Sequence, residues 1–151
     1  GSLMRIIPLA FVDAGRGKIR KVSSITHAHR TSTNACVAYV EAARKLAAGA
    51  SISDALGGIG VDDYFFDPDK PRELLRSGGY VIDTLDSALW CLANTKTYSE
   101  CVLEAVNLGG DTDTTACVAG ALAGIVYGHD AIPATWVETL RGKDVIESCL
   151  F

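Results

Sequence analysis

Apolar side chains recur every three or four residues over most of this chain, a spacing that predicts helices. In "TNACVAYVEAARKLAAG", Cys36, Val37, Val40, Ala43 and Ala47 share one face, with Asn34 near the start and Gly49 as a stop. "GYVIDTLDSALWCLAN" repeats the pattern through Val81, Leu85, Ala88, Leu89 and Leu92. "TYSECVLEAVNLGG" opens on Thr97 and Glu100, a capping-box pair, and closes at Gly109 and Gly110. "IPATWVETLRG" has Pro133 near its first turn and Gly142 just past its end. No long alternating strand appears. Residues 59–79 are polar and contain proline, which predicts a long loop or lid with a short helical piece. The fold class that follows is all-α.

One predicted helix stands apart. In "ACVAGALAGIVYG", Ala116, Gly120, Gly124 and Gly128 fall four apart and line one face. Glycine costs roughly 1 kcal/mol relative to alanine inside a helix. A run that tolerates this cost predicts close approach by another helix, so this is expected to be the central, tightly packed element.

Composition narrows the function classes. A chain of 151 residues suffices for one domain with one core. Hydrophobic residues make up 48%, yet the longest apolar run, 116–127, is too short to span a bilayer. Formal charge is −4, and the one basic stretch, "GRGKIRK", lacks interleaved aromatics, which argues against nucleic acid and for a surface turn. The five cysteines, Cys36, Cys91, Cys101, Cys117 and Cys149, include no C-x-x-C pair, so neither a zinc site nor a disulfide framework is indicated. No signal-peptide pattern precedes the first helix. A reducing cytoplasm is the expected compartment.

The chemistry concentrates in "NLGGDTDTT", residues 107–115. A helix N-terminus favours negative charge, and one aspartate there is ordinary capping. Asp111 and Asp113 are two, close enough to share a cation, with the Thr114 hydroxyl beside them. Hard oxygen donors of this kind suit Mg²⁺, Ca²⁺ or Mn²⁺. Gly109 and Gly110 allow a sharp turn. A metal site and simple capping both remain open on spacing alone. An EF-hand counted from Asp111 would need glycine and glutamate where Ala116 and Leu122 stand, and the Gly-Lys-Ser/Thr of a P-loop is absent. The D-x-D-x-T pattern of haloacid-dehalogenase-type phosphatases does match residues 111–115, although there it follows a strand; a Mg²⁺-dependent phosphatase is the runner-up.

"GGDTDTTACVAGALAGIVYG" resembles the signature of the ADP-ribosylglycohydrolases, the group that includes dinitrogenase-reductase-activating glycohydrolase. "GSLMRIIPLA", "ITHAH" and "GGYVIDTLDSALWCL" resemble three further segments of that family, in the family's order, and together they cover most of the chain. The resemblance implies an all-α ADP-ribosylglycohydrolase-type helical domain with two Mg²⁺ or Mn²⁺ ions at the base of an ADP-ribose cleft. It implies hydrolysis of the glycosidic bond between ADP-ribose and a protein side chain or small molecule. Asp111 and Asp113 become the candidate catalytic and metal-ligating carboxylates, with Thr114 as a third ligand. His27 is expected on the ribose side of the cleft and Tyr80 near the scissile bond. The family's N-terminal Thr-Asp-Asp motif is absent, so residues 1–151 correspond to the C-terminal portion of the domain, and the N-terminal half as a separate chain is an expected partner. A non-catalytic ADP-ribose-binding or structural relative is the alternative.

Plainer roles stand beside each assignment. His27 reads equally as a satisfied helix histidine, Tyr80 as a core aromatic, Ser2 as an N-cap, and Met4 and Arg5 as local packing and pairing residues. The paired acids Asp62 and Asp63 in "VDDYFFD" are expected to be solvated loop residues.

Overall fold

The computed structural model describes residues 1–149; the last two residues of the expected span 1–151 lie outside the described residues. Nine α-helices are described, with one minimal hairpin. They are α1 (Ser2–Ile6), α2 (Arg16–Ser24), α3 (Arg30–Ala47), α4 (Ile52–Leu56), α5 (Val81–Asn94), α6 (Tyr98–Asn107), α7 (Thr112–Tyr127), α8 (Ala134–Thr139) and α9 (Lys143–Cys149). The all-α expectation holds. Among the described residues no helix is long and apolar enough to cross a membrane.

Helices α5, α6 and α7 pack on one another, and α3 joins this group to α1 and α2. Fully buried Leu85, Leu89 and Leu92 of α5 meet Val118 and Leu122 of α7 in one continuous core with Val40 of α3 and Ile6 and Ile19 of the first two helices. Tyr39 of α3 is 1% exposed and donates its hydroxyl to the Val118 carbonyl at 2.9 Å, which locks α3 to α7. Burial pushes the Tyr39 phenol far above its ordinary pKa.

The small-residue face of α7 meets α6 as expected, but one glycine carries the contact. A β-carbon at Gly120 would lie 3.2 Å from a Val102 methyl and 3.5 Å from the Tyr98 hydroxyl. Gly124 leaves ordinary room, and Gly128 ends the helix at φ +81°. Helix α6 begins as predicted: the Glu100 N–H donates to Thr97 Oγ1 at 3.2 Å, and the Glu100 carboxylate accepts from the Lys96 N–H at 2.9 Å.

Three local expectations shift. Helix α3 starts before Asn34, at Arg30, because the His29 ring caps it by accepting from the Thr31 N–H at 3.3 Å. Leu46 rather than Ala47 continues its buried face: Leu46 belongs to the core, while Ala47 is exposed at the end of the helix. Helix α8 stops at Thr139, before Gly142, and α9 follows that glycine.

The predicted lid is an ordered strap. It holds β1 (Gly60–Val61) and β2 (Tyr64–Phe65), antiparallel with Gly60 opposite Phe65, then a 3-10 turn at Arg72–Leu74. The strap is fastened to α5. Asp86, 6% exposed, accepts from the Tyr64 hydroxyl at 2.8 Å and pairs with Lys70. Trp90 Nε1 donates to the Lys70 carbonyl at 2.8 Å. Asp62 in the hairpin turn is not merely solvated. It accepts from Thr31 at 2.8 Å and Asn34 at 3.1 Å and pairs with Arg30, all on α3.

Candidate active site

Asp111 occupies the N-cap of α7 but makes no capping hydrogen bond with its side chain. Thr115 takes over locally: its N–H and hydroxyl both donate to the Asp111 carbonyl, at 3.1 and 2.9 Å. Thr115 is fully buried and so engaged, while half-buried Thr114 faces the Asp111 carboxylate. The Thr114 hydroxyl and N–H approach the Asp111 carboxylate and, with the Asp113 side chain next, hold its pKa below the usual carboxylate range. Asp113 lies exposed in the first turn of α7.

A hollow opens beside Asp111. Ser2, His27, Ser32, Gly79, Asp111 and Thr114 line it. Ser2 is no simple N-cap: it is the first residue of α1, buried, and bonded Oγ to Oγ with Ser32 of α3 at 3.0 Å. His27 follows α2, and its Nδ1 lies 2.7 Å from Thr26 Oγ1. Arg5 donates to that same oxygen at 2.8 Å and to the Val22 and Ser23 carbonyls. The Thr26 side chain, itself held by Arg5, thereby fixes the orientation of the His27 ring. Arg5 thus pairs locally, as expected, and its partner orients His27. Met4 is exposed rather than packed.

The structure therefore brings Asp111, Thr114 and His27 to one hollow, with Asp113 exposed on the same turn between the first two. Tyr80 is placed differently. It is the N-cap of α5 and 59% exposed, which overturns its reading as a core aromatic; its neighbours Gly79 and Val81, not its ring, line the hollow. Gly79 is a residue that sequence reasoning missed. A β-carbon there would lie 3.3 Å from Asp111 Oδ2, so a bare backbone leaves more room at the carboxylate. The Gly-Gly pair at 78–79 was the available signal.

The donor chemistry suits a hard cation. Two carboxylates that approach each other, with a hydroxyl beside them, are all oxygen donors. The set is partial: among the described residues no three His, Cys, Asp or Glu side chains group to hold a metal. A phosphatase of the D-x-D-x-T kind loses its footing, because the motif follows helix α6 and two left-handed glycines rather than a strand.

The model of the ADP-ribosylglycohydrolase family matches residues 1–150. The chain belongs to the ADP-ribosylglycohydrolase family. It is 32% identical to the ADP-ribosylarginine hydrolase Tri1 of Pseudomonas putida, over 97% of this chain and 43% of that protein. It is also 32% identical to the ADP-ribosyl-[dinitrogen reductase] glycohydrolase of Rhodospirillum rubrum, over 95% of this chain and 51% of that one. A solved ADP-ribosylglycohydrolase-related protein complex superposes with a TM-score of 0.84 at 28% identity, covering 97% of this chain and 56% of the other. The chain thus spans about half the length of the curated ADP-ribosylglycohydrolases that it matches along its whole extent.

Proposed function

We propose that the protein carrying this chain hydrolyses the glycosidic bond linking ADP-ribose to an acceptor. The observation that carries this reading is the convergence of Asp111, Thr114 and His27 on one hollow, in a chain that matches the family over residues 1–150. Two relatives are named as ADP-ribosylarginine hydrolases, which favours an arginine side chain as the acceptor. ADP-ribosylated protein or a small ADP-ribose conjugate is the matching class of partner.

Asp111, Asp113 and Thr114 are the residues that would hold Mg²⁺ or Mn²⁺ in a binuclear centre, with the remaining ligands from the part of the domain that these residues do not span. Bound there, the ions supply Lewis acidity and a template for ribose hydroxyls. The protein's own contribution is orientation. The N-terminus of α7 holds the Asp111 backbone through Thr115. The bare Gly79 leaves access to the Asp111 carboxylate. His27, held through Thr26, offers a ring nitrogen to a ribose hydroxyl as positive charge builds in an oxocarbenium-like transition state. Tyr80, exposed between two residues that line the hollow, would contact a bound sugar near the scissile bond. No general acid or base is assigned to these residues. Five cysteines without a disulfide agree with a cytoplasmic setting.

A second reading is a relative that binds ADP-ribose without turning over its conjugates. Release of ADP-ribose from ADP-ribosylarginine by the intact protein, with Mg²⁺ or Mn²⁺ supplied, decides between them. Turnover that Asp111→Asn abolishes supports the hydrolase; binding of ADP-ribose with no release supports the binding relative.

A further inference from the structure

We propose that Ser77, in the strap and remote in sequence from the acids, is a positioning residue for Asp111. The Ser77 carbonyl accepts the Asp111 N–H at 2.7 Å. Its hydroxyl donates to the Gly109 carbonyl at 2.8 Å and lies 3.3 Å from the Leu108 carbonyl. One residue thus grips both sides of the turn that delivers Asp111. Gly110 crosses directly over it: a β-carbon there would sit 2.4 Å from the Ser77 carbonyl oxygen, and its φ is +64°. Both facts require glycine.

Ser77 is itself held. The buried Ser87 hydroxyl donates to the Arg76 carbonyl at 2.9 Å. The buried Thr84 hydroxyl lies 3.3 Å from both the Gly78 and Tyr80 carbonyls, and the Thr84 N–H donates to Tyr80 at 3.0 Å. Carbonyls 76, 77, 78 and 80 are therefore all engaged, three by α5 and one by Asp111. Helix α5 packs on α7, so the rigid pair of helices frames the turn from both ends. A ligand carboxylate must be held within about 0.5 Å of its working position, and hydrogen bonds to the surrounding shell do that holding. The grip on 108–111 supplies this for Asp111.

The inference rests on the reading of Asp111 as a metal ligand. Its test is Mn²⁺ affinity of the intact protein, read by the free-ion electron paramagnetic resonance signal. Ser77→Ala removes the hydroxyl and keeps the carbonyl. It should weaken Mn²⁺ binding roughly tenfold to a hundredfold, the range typical when such a supporting group is lost. Thr95→Val is the control. Its hydroxyl also bonds a helix carbonyl, that of Cys91 at 2.6 Å, but it does not line the hollow. It should leave Mn²⁺ affinity unchanged while shifting the melting temperature as much as Ser77→Ala does. Wild-type affinity in Ser77→Ala overturns the positioning role alone. A wild-type protein that binds no Mn²⁺ overturns the metal reading and this inference with it. Should Ser77→Ala not fold, amide hydrogen exchange on the wild type still decides. Slow exchange at the Asp111 amide supports the grip, and exchange as fast as a free loop amide overturns it.

Discussion

Two acidic turns in this molecule look alike in the chain and differ in what surrounds them. The hairpin turn carries Asp62 and Asp63; the start of α7 carries Asp111 and Asp113. Asp62 is saturated by α3, with Thr31, Asn34 and Arg30 all on its carboxylate. Those contacts, the Thr31 hydrogen bond foremost, hold its pKa below the ordinary range. Asp111 also sits below that range, but its causes are its own neighbours Thr114 and Asp113, and it caps nothing. The first carboxylate is spent on fastening the strap. The second lines a hollow, approached only by neighbours of its own turn. A pair of acids in a loop is thus no sign of chemistry until the donors around it are known.

The contrast breaks most sharply at Asp111. Asp111→Asn should abolish measurable Mn²⁺ binding and lower turnover by at least about a hundredfold, since a bound metal supplies several kcal/mol of transition-state stabilisation. Asp62→Asn should leave both intact. Equal losses in the two variants would erase the distinction.

Gly110→Ala comes next. It forces a β-carbon against the Ser77 carbonyl at a left-handed φ. A side chain held in that region costs on the order of 1–3 kcal/mol before the clash is counted. Urea denaturation should show at least that loss, and Mn²⁺ affinity should fall with it.

The Asp62 contacts should appear as pH-dependent stability. Its folded pKa is depressed, so its contribution is full above the unfolded value near ~3.9 and is lost as pH falls through the folded value. Melting temperatures of wild type and Asp62→Asn should therefore differ modestly at neutral pH and converge on acidification below the ordinary aspartate range. A gap that persists in strong acid would show that the carboxylate charge is not what fastens the turn.

The smallest effect concerns Cys117, exposed one turn beyond Asp113 on α7. Burial first and the Asp113 charge second hold its thiol above the ordinary range. Asp113→Asn should accelerate its alkylation slightly near pH 8. Cys91 and Cys101, pushed by burial up to about 12 and about 11, should stay unreactive in the folded protein and serve as internal references.

Much of this was legible before any coordinates. Thr97 and Glu100 mark the start of α6 because capping is settled within four residues. Asp111, Asp113 and Thr114 announce themselves by type and spacing at the head of a helix. The register of α3 was legible only in part, since Leu46 and Ala47 fit the same periodicity and only the neighbours of α3 choose between them. Asp86 illustrates the other side. Along the chain it is one more polar position of α5, yet in the fold it is the buried anchor of Tyr64 and Lys70.

By itself, then, the chain determined most of its helices, the cap of α6, its family and a set of candidate site residues, because those depend on local spacing and side-chain type. Only the tertiary structure decided that Ser77 grips the turn before Asp111 from 32 residues away, that Asp62 is consumed by α3, and that Tyr80 stands in solvent. The reason is physical: a hydrogen bond of about 3 Å is indifferent to sequence separation. Which donors reach a given carboxylate is set by how the helices pack, and no local pattern encodes it.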